Sequence, residues 1–342
     1  MIHLNPESSC PLHSCRAKTI RNASWNWTAP SEPRLASAGL AVYTVAMRIR
    51  LIGIFTFALL LFVAARAQTE RVRELAPGVY FWQGDPDQRQ PANCTWVLFN
   101  DYVLVIDANF PWGAREILPR IKATTNKPIR FVFDTHYHSD HSFGNSIFTD
   151  AGASIICSEA CAEELRTKGA RGFSNWNDAA HPLTGARFAP ATIMFSEGMV
   201  FDDGMHRVEI TRMGPGHSKG DAVAYLPHEK ILITGDLCVT WSSGNNVADA
   251  DADHDNWVRA LDRLDKWDVK TVIPGHGPPA SRPALHAQRE YLADMIDQVR
   301  TGKRAGKSAD QLAKETDLSR HGNLAASKES NATSIRAMYR KL

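Results

Sequence analysis

An α/β sandwich, two β-sheets face to face with helices on the outside, is the fold class this sequence predicts. Two observations carry the prediction. Paired β-rich runs come first and strands interrupted by helices follow, and this happens twice along the chain. The polar, glycine-flanked segments that could bear chemistry each stand where a strand runs into a loop, which is where α/β folds place ligands. The 342 residues are enough for one large domain or two small ones, with a full core drawn from 44% hydrophobic residues. That composition excludes a wholly disordered, collagen-like or coiled-coil chain.

The elements follow in order. Val79 to Trp82, Cys94 to Phe99 and Tyr102 to Ile106 are β-rich runs. Gly84 to Asn93 is a loop, and Asn100-Asp101 is a tight hairpin turn. Ala114 to Ala123 is helical, Ile129 to Phe133 a buried strand, Phe143 to Asp150 a helix and Ser154 to Ile156 a short strand. Glu159 to Lys168 is helical, and Gly169 to Pro190 is irregular, rich in Gly, Asn and Pro. Strands follow at His206 to Arg212, Ala222 to Leu226 and Lys230 to Thr234. A helix, Trp257 to Lys266, leads to the strand Thr271 to Ile273. From Pro283 the chain is helical, with Leu285, Leu292, Ile296 and Val299 on one face. Ser308-x-x-Gln311 reads as a capping box. Ile335, Met338, Tyr339 and Leu342 form a last apolar stripe. The tail from 281 to 342 is therefore expected to pack on a catalytic domain spanning 68 to 280.

Residues Met47 to Ala67 precede that domain. Arg48 and Arg50 make a basic start, Leu51 to Ala65 is an uncharged apolar run, and Ala65-Arg66-Ala67 offers a cleavage site. This reads as a secretory signal peptide cut after Ala67, since the run is short for a span of about 20 residues. Met1 to Ala46 then reads as a start placed too early or a disordered extension. The expected location is the periplasm or the exterior, with no stable membrane anchor after cleavage. The mature 275 residues carry a net charge of −3 against +2 for the whole chain, which argues against a nucleic-acid partner. Four cysteines remain (Cys94, Cys157, Cys161, Cys238), in apolar surroundings that suit buried reduced thiols.

The chemistry concentrates in His136-Tyr137-His138-Ser139-Asp140-His141, directly after FVFDT. In an extended segment alternate side chains share a face, so His136, His138 and Asp140 can converge, with His141 on the other side of the pocket. Three imidazoles and a carboxylate in six residues are costly without a cation. Such N/O ligands suit Zn²⁺, and also Fe or Mn. His217 in GPGHSKGD, Asp236 in LITGDL and His276 in VIPGHG have the same strand-end character. The other mature histidines, His181, His206, His228, His254, His286 and His321, read as surface or packing residues. Asp249 to Asp255 can border the pocket.

These motifs, in this order, resemble the metallo-β-lactamase-fold hydrolase superfamily over about Val72 to Pro279. The exported chain, the PGHG motif and the tail look most like its β-lactamase-like, quinoprotein-relay subgroup. Asp236, standing where some lactamases use Cys, looks like glyoxalase II and lactonases. The resemblance implies an αββα sandwich of two mixed sheets with two metals, Zn²⁺ foremost, at one sheet edge. His136, His138 and His217 would hold the first, and Asp140, His141 and His276 the second. Asp236 would bridge them. Asp107, ending VLVID, would support the metal loop from outside, or is a turn residue. Asp221 invites the same two readings. Lys219 would meet an anionic substrate or sit solvated in its turn.

The implied function is hydrolysis of a small ester, thioester, lactone or β-lactam by a metal-bound hydroxide, with Asp140 orienting the nucleophile or carrying its proton. Loops Gly84 to Asn93, Gly169 to Pro190 and Trp241 to Asp255 would frame the substrate. Trp112, Trp176 and Trp241 are either pocket walls or packing aromatics. The rival readings are a mononuclear-iron persulfide dioxygenase of the same fold and a non-catalytic periplasmic binding protein.

Overall fold

The computed structural model describes residues 71–241, 245–325 and 328–342. The signal peptide expected from the sequence, and the residues before it, lie outside this range. Among the described residues no helix is long and apolar enough to cross a membrane.

Among the described residues thirteen strands form two mixed sheets, as the fold class predicts. One has seven strands in chain order. They are β1 (Val72–Ala76), β2 (Val79–Trp82), β3 (Cys94–Leu98), β4 (Val103–Ile106), β5 (Ile129–Phe133), β6 (Ser154–Ser158) and β7 (Ile193–Phe195). Pairing is antiparallel from β1 to β4 and parallel from β4 to β7. The switch falls where helical crossovers begin, because a parallel return needs a long connection.

The second sheet holds β8 (Gly198–Asp202), β9 (Arg207–Arg212), β10 (Ala222–Leu226), β11 (Ile231–Ile233), β12 (Thr271–Ile273) and β13 (Ala280–Ser281). Its order runs from β13 down to β8, with β11 and β12 parallel.

Alternation along the strands builds three layers of core. In β4, Leu104 and Ile106 face the other sheet with Phe81, Phe133, Ile210, Ala224 and Ile233. Val103 and Val105 face outward, onto Ile117 and Ile121 of α1 (Pro111–Thr124). Period-two patterning thus fixes which side chains fill the centre and which meet the helices.

Residues Ser139–Ser142 form α2 and Asn145–Asp150 form α3. A helical run from Glu159 to Ser174 comprises α4 (Glu159–Glu164), a π-turn (Leu165–Gly169) and α5 (Ala170–Ser174). The irregular stretch predicted from Gly169 therefore starts later, after Ser174.

On the outer face of the second sheet, Val223, Leu232 and Val272 pack with residues of α6 (His254–Leu264) and α7 (Pro283–Arg304). Trp257 of α6 and Leu285, Tyr291, Leu292, Met295 and Val299 of α7 are fully buried there. The Ser308/Gln311 capping box is formed and opens α8 (Ala309–Glu315). Ile335 and Met338 of α9 (Lys328–Lys341) join the same core.

The strands absent from the sequence reading are β1, β7, β8 and β13. All but β7 are half-exposed throughout, and β7 buries only Phe195. Strands at or near an edge bury too little to impose a clean hydrophobic alternation.

Candidate metal centre

Each candidate side chain stands a few residues past the end of a strand. Asp107 directly follows β4, and His136 lies three residues beyond β5. His217 lies five beyond β9, Asp236 three beyond β11 and His276 three beyond β12. Both sheets therefore deliver their loops to one edge.

Two groups of ligand-type atoms result. His136, His138, His217 and Asp236 form one, and Asp140, His141 and His276 form the other, with atoms in each group within 4.8 Å of one another. The extended reading of the H-x-H-x-D-H segment holds only to His138. The chain then enters α2, which carries Asp140 and His141 together to the second group, because a helical turn replaces the two-residue alternation. His138 Nδ1 lies 3.1 Å from His136 Nε2 and 2.9 Å from His217 Nε2. His276 Nε2 lies 3.4 Å from His141 Nε2 and 3.3 Å from Asp140 Oδ2. Asp236 stands between the groups: Oδ2 is 3.5 Å from His217 Nε2 and 3.2 Å from His276 Nε2, and Oδ1 is 3.3 Å from His141 Nε2.

The outward nitrogen of every ring is already occupied. His136 Nδ1 meets Thr135 Oγ1 at 3.1 Å, and His141 Nδ1 meets Asp107 Oδ2 at 2.9 Å. His217 Nδ1 donates to the Asn246 carbonyl at 3.0 Å and His276 Nδ1 to the Pro91 carbonyl at 3.0 Å. His138 Nε2 donates to Asp249 Oδ2 at 2.8 Å. Such partners fix the tautomer and leave the inward lone pair for a cation.

Electrostatics point the same way. Burial, with neighbouring rings, holds His136 well below the usual imidazole range and His217 down to about 4, so both are neutral near pH 7. Burial opposes charge on Asp236, yet His276 and His141 hold its carboxyl well below the ordinary range. Burial likewise opposes charge on His141, but Asp107, Asp236 and Asp140 raise it well above the usual value. Buried charges of this density persist when paired or bound to metal. Asp236 Oδ1 is buried without a hydrogen-bond partner, an orphan that a cation would satisfy. The donor set therefore fits divalent metal, neutral imidazoles and carboxylates being the ligands such ions take.

Asp107 adopts φ +63 and accepts the Thr135 N–H at 2.8 Å as well as His141. It supports the ring, and it also makes the turn. Asp107→Asn should weaken metal binding at the His141 group about 10- to 100-fold. Chelator competition checks this, and an unchanged affinity would remove Asp107 from the support of His141. Asp221 accepts the Ser218 N–H at 3.0 and 2.9 Å and its hydroxyl at 2.6 Å, while burial pushes its carboxyl up to about 7. It shapes the turn after His217, its carboxylate hydrogen bonds going to Ser218 and not to a ring. Lys219 is exposed.

His206, His254 and His321 bond Glu229, the Val247 carbonyl and Asp294, away from both groups. Among the described residues Cys94, Cys157, Cys161 and Cys238 are buried and unpaired. Trp112 and Trp176 join Phe110, Phe143 and His181 in one aromatic cluster beside α1.

Sequence reasoning named no role for Asn93 or Thr135, and Asp249 only as part of a bordering stretch. The Asn93 side chain donates to the Pro274 and Gly277 carbonyls at 2.8 and 2.7 Å, tying the first loop to the PGHG turn. A loop asparagine 181 positions from its partner carries no local signal.

A family model described as the metallo-beta-lactamase superfamily matches residues 88–276. The chain is 22% identical over 249 residues to the linear primary-alkylsulfatase of a Pseudomonas species, covering 61% of this chain and 46% of that protein. It is 23% identical over 190 residues to a metallo-beta-lactamase of Chryseobacterium indologenes, covering 54% and 71%. Among solved structures, a metallo-beta-lactamase from Pontibacter korlensis aligns with TM-score 0.55 at 23% identity, covering 65% of this chain and 98% of that one. A stereoselective inverting sec-alkylsulfatase from Pseudomonas aligns with TM-score 0.60 at 19% identity, covering 79% and 50%. The chain thus spans about half the length of the alkylsulfatases it matches, and the structural likenesses bear on fold alone.

Proposed function

The chain belongs to the metallo-beta-lactamase superfamily of metal-dependent hydrolases, and from that premise we propose an exported hydrolase that holds two divalent ions, Zn²⁺ foremost, and cleaves a small ester, thioester, lactone or β-lactam. One observation carries this reading: five imidazoles and two carboxylates converge, and every outward ring nitrogen is already bonded. His136, His138 and His217 would hold one ion, Asp140, His141 and His276 the other, and Asp236 both. When bound, the pair would supply a water activated near neutral pH and Lewis-acid polarisation of the scissile group.

The remaining work belongs to the side chains. Asp236 is buried and hemmed by four rings, so it holds position and exchanges no proton with solvent. The Asp140 side chain is 19% exposed, and it is the carboxylate of the set open enough to orient an incoming water and pass its proton outward. The mononuclear-iron persulfide dioxygenase reading has less support, because Asp140, His141 and His276 are all present and grouped. Alkyl sulfate esters are a second substrate class, supported by similarity to two alkylsulfatases. The tail from 281 onward we assign to packing on the catalytic domain, and the export signal to residues 47–67.

The test is to purify the chain from Gln68 without added metal, count Zn, Fe and Mn, and assay a chromogenic cephalosporin, a thioester, a lactone and an alkyl sulfate. Two Zn with turnover of one substrate is the expected result. One Fe without hydrolysis would move the assignment to sulfur oxidation, and a metallated but inert protein would revive a binding role.

A further inference from the structure

Beyond the two groups at the sheet edge, a third set of acidic side chains gathers ligand-type atoms: Glu164, Asp249 and Asp251, within 4.8 Å of one another. Its place for a cation is taken. Lys168 Nζ lies 2.5 Å from Asp251 Oδ2, 3.3 Å from Glu164 Oε1 and 3.6 Å from Asp249 Oδ1. It also lies 4.9 Å from the centre of the Tyr137 ring. The π-turn Leu165–Gly169 presents Lys168 here, and such turns are frequent at functional sites.

Two of these carboxylates lead straight to the metal centre, by separate routes. Glu164 accepts the backbone N–H groups of Lys219 and Gly220 at 3.3 and 3.0 Å, gripping the loop that carries His217. Asp249 divides its oxygens: Oδ1 accepts the Asp251 N–H at 2.7 Å, and Oδ2 accepts Tyr137 OH at 2.7 Å and His138 Nε2–H at 2.8 Å. The His138 proton is thereby held on Nε2, leaving Nδ1 to face His136 and His217. Both Glu164 and Asp249 have almost fully buried side chains.

We propose that Lys168 is a positioning residue for the three-histidine half of the centre, a built-in cation that ties the grip on the His217 loop to the carboxylate that orients His138. This rests on the reading of that half as a metal site. Without the ammonium, three close carboxylates would repel in a low-dielectric pocket. Relief requires one of them to move away. A displaced Asp249 no longer accepts from His138, and a displaced Glu164 frees the Lys219–Gly220 backbone. Each change loosens one ring of the same half, His138 in the first case and His217 in the second. His141 and His276 rest instead on Asp107 and the Pro91 carbonyl, so they stay in place.

The experiment measures Zn²⁺ affinities by chelator competition, with the Co²⁺-substituted visible spectrum, for the wild type, Lys168→Met, Lys168→Arg and Asp249→Asn. Lys168→Met should weaken one of the two bound ions about 10- to 100-fold, leave the other within about threefold, and alter the Co²⁺ bands. Lys168→Arg, which keeps the charge, should recover most of that loss. Asp249→Asn, which touches His138 directly, should reproduce the selective loss and serves if Lys168→Met fails to fold. Two ions bound with wild-type affinities and spectrum in either Lys168→Met or Asp249→Asn would overturn the role of Lys168. A wild type that takes up neither ion would instead overturn the metal-site reading itself.

Discussion

Asp236→Ala is expected to strip metal from both groups at once and to lower kcat/KM by at least about a thousandfold, equivalent to about 4 kcal/mol of transition-state stabilisation. The size follows from where the carboxylate stands. Its Oδ2 is within 4 Å of His136, His217 and His276, and its Oδ1 is 3.3 Å from His141. Among the described residues no other carboxylate lies within ion-pair distance of rings from both groups. Removing it leaves His136 and His217 facing no carboxylate, and Asp140 alone beside His276, so a bound ion loses a charged ligand and gains repulsion from its neighbour. Metal analysis beside the steady-state assay separates the outcomes. Loss of both metals with loss of turnover supports a bridging role. A variant that keeps two metals and full activity would show that Asp236 is no ligand.

The centre was legible in the sequence to an uneven degree, and the reasons are physical. Ligands must be particular residue types at particular spacings, so the H-x-H-x-D-H run and the three glycine-flanked positions stand out in one dimension. The central strands were equally legible, because burial on both faces of β4 and β11 demands continuous apolar runs. What orients the ligands was not legible. Asp249 reaches His138 from 111 positions away, and the Pro91 carbonyl reaches His276 from 185. A backbone carbonyl has no residue-type signature, and an aspartate in an acidic stretch looks like any solvated turn. Asp107 was the exception: an aspartate closing a β-rich run is a pattern, and the strand end delivers it to the same edge. Lys168 falls in the same class as Asp249, since its place among three carboxylates depends on a π-turn that no periodicity announces.

Gly275→Ala is expected to destabilise the fold by about 3 kcal/mol, roughly 6–10 °C in Tm, and to empty the centre as well. Gly275 precedes His276, and its N–H donates to the Gly235 and Cys238 carbonyls at 2.9 and 3.1 Å. Its carbonyl accepts the Asn93 N–H at 2.8 Å. The loops bearing Asp236 and His276 therefore touch backbone to backbone at this point. A Cβ here would run into Asp236 Oδ1, and would stand 2.7 Å from the Gly235 carbonyl carbon and 2.9 Å from the Asp236 nitrogen. Backbone atoms pinned by hydrogen bonds cannot yield as the end of a flexible side chain can, so the two loops must part. Parting them moves Asp236 away from His276. The control is Gly152→Ala: Gly152 has φ +98 and open space around its Cβ position, so it carries dihedral strain alone, of about 1 kcal/mol. That variant should lose some stability and keep its metal. If Gly275→Ala melts with the wild type and retains both ions, the close approach of the two loops is not what sets the Asp236–His276 distance.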